Sequence, residues 1–244
     1  MMNMLREFKK KRKLMMGFII LLGVGLAGGA LLMAFAPGSA PPPQHQQQLP
    51  PDTSDIEALL AGFSDVLEEE PENQEVISFV ASLYWQLANQ LEDAERQQQA
   101  RNTALGYQFR LIELNPDDVQ LMAEVAVLAN SVGNNNLVQE IFEKALQSLD
   151  RNPEDVDLMT GVAVLADIAG HIDNAQEIFE RALQLDGENI NALTHYGLYL
   201  MNRKGDFESA VVLFARALEQ DMSDYARDII KTYYITANQR IEAH

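Results

Sequence analysis

Cysteine is absent from the 244-residue chain. That excludes disulfides, thiolate zinc sites and haem attachment through C-x-x-C-H, and leaves the redox compartment open. Positive charge is scarce, with 18 Lys and Arg against 36 Asp and Glu and a formal net charge of −18. The scarcity is uneven. Residues 1–13, MMNMLREFKKKRK, hold six basic residues and one acidic one, while the remainder holds 12 against 35. A body of net charge −23 lacks the basic surface that phosphate backbones require. Nucleic acid is therefore excluded as a partner, and a neutral to basic one is expected.

Signatures of catalysis are missing as well. The four histidines, His45, His171, His195 and His244, form no H-E-x-x-H and no i, i+4 pair. Ser, Asp and His occur without a motif that would join them as a triad. SVGNNN, residues 131–136, is rich in turn formers but lacks the spaced acidic ligands of a calcium loop. No metal, cofactor or enzymatic activity is expected. One motif points the other way: Gly23-Val24-Gly25-Leu26-Ala27-Gly28 is a literal G-x-G-x-x-G. A dinucleotide fingerprint needs a strand before it, a helix after it and an acidic residue about 20 positions on. This match lies in an uncharged run, residues 14–36, and no acidic residue follows until Asp52. The nucleotide reading fails.

The 23-residue apolar run has a different use. At about 1.5 Å per residue it reaches about 34 Å, enough to cross a hydrocarbon core of about 30 Å. A cleavable signal peptide has a shorter apolar core, about 7–15 residues. The small-residue site Ala34-Phe35-Ala36 is followed at once by Pro37, which hinders cleavage. The run is read as an uncleaved anchor. Arg6, Lys9, Lys10, Lys11, Arg12 and Lys13 keep its start in the cytoplasm, so the rest of the chain lies outside, in the periplasm of a bacterial inner-membrane protein. Gly25 and Gly29, with Ala30 and Ala34, leave flat faces on which another membrane helix can pack. Residues 37–53, PGSAPPPQHQQQLPPDT, read as an extended spacer.

From there the chain repeats itself. NPDDVQLMAEVAVLANSVGNNNLVQEIFEKALQSL, NPEDVDLMTGVAVLADIAGHIDNAQEIFERALQLD and ENINALTHYGLYLMNRKGDFESAVVLFARALEQD align by eye. Pro116 and Pro153 lie 37 apart, and Ala145, Ala182 and Ala217 are spaced by 37 and 35. Each unit predicts two helices with one apolar stripe apiece, such as Met159, Val162, Ala163 and Ala166, then Ala175, Phe179 and Ala182. Ala126, Ala163 and Gly197 allow close helix approach, and Phe142, Phe179 and Phe214 fill the space beside them. Gly133, Gly170 and Gly205 end the first helices, and Asp118, Asp155 and Asn189 cap the next. The layout is a covering helix at 54–71, an extended unit at 72–118, units at 119–155, 156–189 and 190–222, and a closing helix at 223–244. Counted from Gln74 to Asp118 the first unit is 45 residues long, and it lacks the second-helix aromatic, with Gln108 near that place.

A period near 34 with two helices resembles the tetratricopeptide (TPR) family. The resemblance implies an all-α TPR α-solenoid, a right-handed superhelix of helical hairpins, here preceded by one transmembrane helix. It implies a binding module whose concave face is lined by first helices. Placed by the repeat, the partner-binding positions are Gln120, Val127, Asn130 and Ser131; Asp157, Thr160, Val164 and Asp167; and Asn191, Thr194, Leu198, Met201 and Asn202. Trp85, from the first unit, is open to either a core or a contact role. None of these positions is Lys or Arg, a departure from TPR co-chaperones that grip acidic tails with a basic clamp. Asp157 and Asp167 favour a basic guest. In layout the chain is similar to the TPR factors of c-type cytochrome biogenesis. A translocon-associated chaperone or a structural subunit of a membrane complex shares that layout.

Overall fold

The computed structural model describes residues 52–243. The basic tail, the apolar run with Gly25, Gly29, Ala30 and Ala34, and the spacer up to residue 51 lie outside the described residues. No helix among the described residues is long and apolar enough to cross a membrane. The chain divides into two compact units, residues 1–58 and 59–244. All regular structure in the described part is helical: α1 (Thr53–Glu69), α2 (Gln74–Gln90), α3 (Ala94–Leu114), α4 (Val119–Ser131), α5 (Asn135–Arg151), α6 (Val156–Ile168), α7 (Ile172–Leu185), α8 (Ile190–Tyr199), a π-helical turn (Leu200–Lys204), α9 (Phe207–Leu218) and α10 (Asp224–Glu242).

Helix starts follow the predicted caps. Asp118, Asp155 and Asn189 each accept the amide three residues on, at 2.9 Å, which satisfies a donor the helix leaves free. Helix ends follow the predicted glycines. Gly133, Gly170 and Gly205 have φ of 75°, 84° and 66°, a region costly for any residue with a Cβ. After the first two, the next amide bonds five residues back, Asn134 to Ala129 and His171 to Ala166, both at 2.8 Å. That is the Schellman closure.

The helices pair as hairpins α2–α3, α4–α5, α6–α7 and α8–α9, and the hairpins stack with first helices α4, α6 and α8 side by side. One continuous core runs from Leu105 to Ala237, with Met122, Phe142, Met159, Phe179, Leu193 and Phe214 all buried. Each such side chain contributes roughly 1.5–3 kcal/mol on leaving water. The first hairpin has 17 and 21 residues where α6 and α7 have 13 and 14. The additions of four and seven are close to one and two turns, so both buried stripes stay in phase. In place of the missing aromatic, Gln108 Oε1 accepts from Trp85 Nε1 at 3.4 Å. Trp85 is thereby a hairpin-packing residue. Phe63 of α1 meets Phe79 edge-on at 5.0 Å, and Tyr233 of α10 meets Phe214 at 5.9 Å, so both ends are covered as expected.

A recurring tie not read from the repeat closes three of the four hairpins. Arg110, Arg181 and Arg216 stand one residue before the penultimate-turn position of a second helix. They reach back to the carbonyls of Pro71, Pro153 (2.7 Å) and Gly187 (2.6 Å), in the loops that open their own hairpins. The second hairpin has Lys144 at this place, set over the Phe109 ring at 5.1 Å. There Asp117 is held instead by Ser148 and by Arg151 at 2.6 Å. Much of the scarce positive charge is therefore committed to the frame.

Candidate partner-binding face

The first helices α4, α6 and α8 present the positions the repeat assigned. Gln120, Val127, Asn130 and Ser131 on α4 are exposed, and Val127 keeps 54% of its surface in solvent. Gln120 Nε2 donates to Glu124 at 3.1 Å, and Ser131 Oγ to the Leu128 carbonyl at 2.7 Å. On α6, Asp157 is exposed and accepts from Asn191 (3.0 Å) and Asn189 (3.3 Å), a polar link between two first helices. Val164, Asp167, Thr194, Leu198 and Met201 are half-buried, and Asn202 is exposed.

One expectation needs correction. Thr160 is not on the face: it is buried at 3%, and its hydroxyl donates to the Val156 carbonyl at 2.8 Å. Packing of α6 between its neighbours closes over that register. A residue outside the assigned positions also comes to the face: Arg203, from the π-helical turn, has Nε 2.7 Å from Asp167 Oδ1.

The π-turn has a cause in the spacing. Ala126 to Gly133 and Ala163 to Gly170 span seven residues, but Gly197 to Gly205 spans eight. The distance from each of these end glycines to the second-helix alanine is 12 in all three units. The fourth first helix carries one extra residue, and it is absorbed as a π-turn, with Asp206 N bonding the Leu200 carbonyl at 3.0 Å. The insertion places Asn202, Arg203 and Lys204 at the edge of α6. Lys204 lies 3.8 Å from Asp173 and over Tyr199 at 5.9 Å.

Beside this turn is an open recess of about 110 Å³ lined by Val164, Asp167, Phe179, His195, Leu198, Tyr199 and Asn202. Its aromatic floor is fixed: Phe179 packs on Tyr199 at 5.7 Å, and the Tyr199 hydroxyl donates to the Ile172 carbonyl at 2.7 Å. Burial holds the His195 imidazole below its ordinary value of 6.5, which favours the neutral ring at pH 7. Asp167 Oδ1 is sealed from solvent, and the nearby Arg203 N–H is out of line for a hydrogen bond. Thr194 Oγ1 is sealed and unpartnered too. No cluster of metal-ligating side chains occurs among the described residues. The face can offer hydrogen bonds, an apolar wall and two carboxylates, Asp157 and Asp167. It holds no nucleophile with an adjacent base.

Fold and face define an all-α array of helical hairpins with TPR spacing, capping and packing. No family model and no curated protein matches the chain. Solved structures similar to it include a crystal structure of MamA, at 18% identity over 68% of this chain and 88% of that one, with a TM-score of 0.41. Another is TTC0263, a thermophilic TPR protein of Thermus thermophilus, at 18% identity over 76% and 92%, with a TM-score of 0.49. Human IFIT1, as a dimer with PPP-AAAA, is similar at 20% identity over 78% of this chain and 43% of that one, with a TM-score of 0.43. The hairpin reading stands on the chain's own period and packing.

Proposed function

We propose that the protein is a membrane-anchored, non-catalytic scaffold that holds a polypeptide partner on its first-helix face. The observation that carries this is the side-by-side exposure of Val127, Asn130, Asp157, Asn191 and Asn202, with Leu198 half-buried among them, on stacked helices whose opposite sides form the core. Amides such as Asn130 and Asn202 can pair with a peptide backbone as donor and acceptor together. The anchor is residues 14–36, with the basic start cytoplasmic and the hairpins in the periplasm of a bacterial inner membrane. The client is then a chain delivered outside the cytoplasm, and an apocytochrome tail awaiting haem or a freshly translocated chain has that character. Gly25 and Gly29 favour a second reading, a permanent subunit of a membrane complex bound laterally through the anchor.

A photo-crosslinking side chain placed at Val127 or Leu198 in the full chain, in its native membrane, tests the face. Glu143 and Glu177, exposed on second helices, serve as comparison sites. A defined polypeptide captured only from Val127 and Leu198 supports the scaffold reading. Capture only from the second helices overturns it. Retention of that polypeptide after removal of residues 1–53 separates groove binding from anchoring through the membrane helix. Protease added to the periplasmic side must digest the hairpins, and protection there would refute the orientation.

A further inference from the structure

The recess beside the π-turn differs from the rest of the face. Elsewhere the polar groups are exposed amides, the Ser131 hydroxyl and the exposed Asp157 carboxylate, which already accepts from Asn189 and Asn191. Here a carboxylate forms one wall, with the aliphatic side chains of Val164 and Leu198 and the rings of Phe179 and Tyr199 around it. Asp167 is the deep partner of its ion pair, 21% exposed, and Arg203 is the outer one, 48% exposed. An ion pair open to solvent on one side is worth little, so Arg203 can return to water at small cost once another cation takes its place. The buried Oδ1 faces Arg203 Nε at 2.7 Å without a well-formed hydrogen bond, so a better-aligned donor can take that place.

We infer that this recess is a subsite for one lysine or arginine side chain of the bound polypeptide, with Arg203 occupying the Asp167 carboxylate until the guest displaces it. The inference rests on the first-helix face being the binding face. A long cationic side chain suits both parts of the wall, because its methylenes cover Val164 and Leu198 while its head reaches Asp167. His195, held below its ordinary value, adds little opposing charge, and Lys204, over the Tyr199 ring, lies 3.8 Å from Asp173. An anionic guest would reach Arg203 but strip Asp167 of its counter-charge in a half-buried place, which is costly. An apolar guest would bury the carboxylate further with no donor to meet it. The one-residue insertion is what places Asn202 and Arg203 at this mouth, so the subsite lies where the third and fourth hairpins meet.

The full-length protein in lipid nanodiscs, titrated by fluorescence anisotropy, tests this with short Ala/Ser/Asn peptides differing only in a central Arg, Lys, Leu or Glu. The Arg and Lys peptides are expected to bind about tenfold more tightly than the Leu peptide, with the Glu peptide weakest. Asp167→Asn is expected to erase that order, whereas Arg203→Gln, which removes the competitor, tightens the Arg peptide several-fold. A merely structural role for Asp167 would shift all four peptides alike, and that result overturns the inference. So does equal binding of the Arg and Leu peptides, or preference for Glu, while leaving the face itself intact as a binding surface. Failure of all four peptides to bind would sink both the subsite and the face.

Discussion

The ring of Phe214 fills the space that a Cβ on Gly197 would need, with Cε1 2.6 Å and Cζ 2.9 Å from that point. Both residues are buried, and they join the two helices of the fourth hairpin. The corresponding positions in the earlier hairpins, Ala126 and Ala163, carry a methyl. Gly197→Ala is therefore expected to destabilise the protein by about 1–3 kcal/mol through overpacking, read as a lower midpoint in urea. Gly106, mid-helix in α3 with open space around its Cβ position, is the comparison. Gly106→Ala is expected to stabilise by about 0.5–1 kcal/mol. A loss of stability there would show that the α3 backbone is not a regular helix at that point.

Asp155 caps α6 through its carboxylate and the Leu158 amide at 2.9 Å. Asp155→Ala is expected to cost about 0.5–2 kcal/mol, and Asp155→Asn or Asp155→Ser much less. Thermal unfolding of the three variants checks this. Equal losses in all three would mean the charge matters and the cap bond does not.

Asp117 gives a pH dependence. The Ser148 hydroxyl, and then the Arg151 guanidinium, hold its carboxyl below the ordinary value of 3.8 in the folded chain. The stability it adds is complete above that value and drains away as the pH falls through the folded value below it. Asp117→Asn is thus expected to lower Tm at neutral pH, and the gap to the parent protein should close on acidification below 3.8. A gap that widens in acid would reverse the assigned sign.

Deleting Asn202 should restore the seven-residue spacing seen in the other two units and turn the π-turn into ordinary α-helix. The hairpin is expected to survive, because Gly205, Ala210 and Phe214 keep their mutual spacing. Arg203 should lose its contact with Asp167. Circular dichroism reads the survival of the helical fold, and a crystal structure reads the lost contact. A chain that no longer folds would show that the insertion is needed for packing.

The sequence by itself determined the hairpin order, the caps at Asp118, Asp155 and Asn189 and the helix ends at Gly133 and Gly170. It also determined the buried stripes and the in-phase lengthening of the first hairpin. These depend on spacing along one helix and on the conformational range of single residues, which are local quantities. Most of the first-helix face was legible for the same reason, from Gln120 to Asn202. Even the π-turn left a trace, eight residues instead of seven between Gly197 and Gly205. Only the tertiary structure decided that Thr160 is covered, that Arg203 reaches Asp167, and that arginines of three second helices tie back to the loops opening their hairpins. Each of those contacts joins groups about 28 to 39 residues apart or on separate helices. Such contacts depend on how closely stacked helices approach and on the side from which a long side chain crosses between them, which no periodicity within a helix encodes.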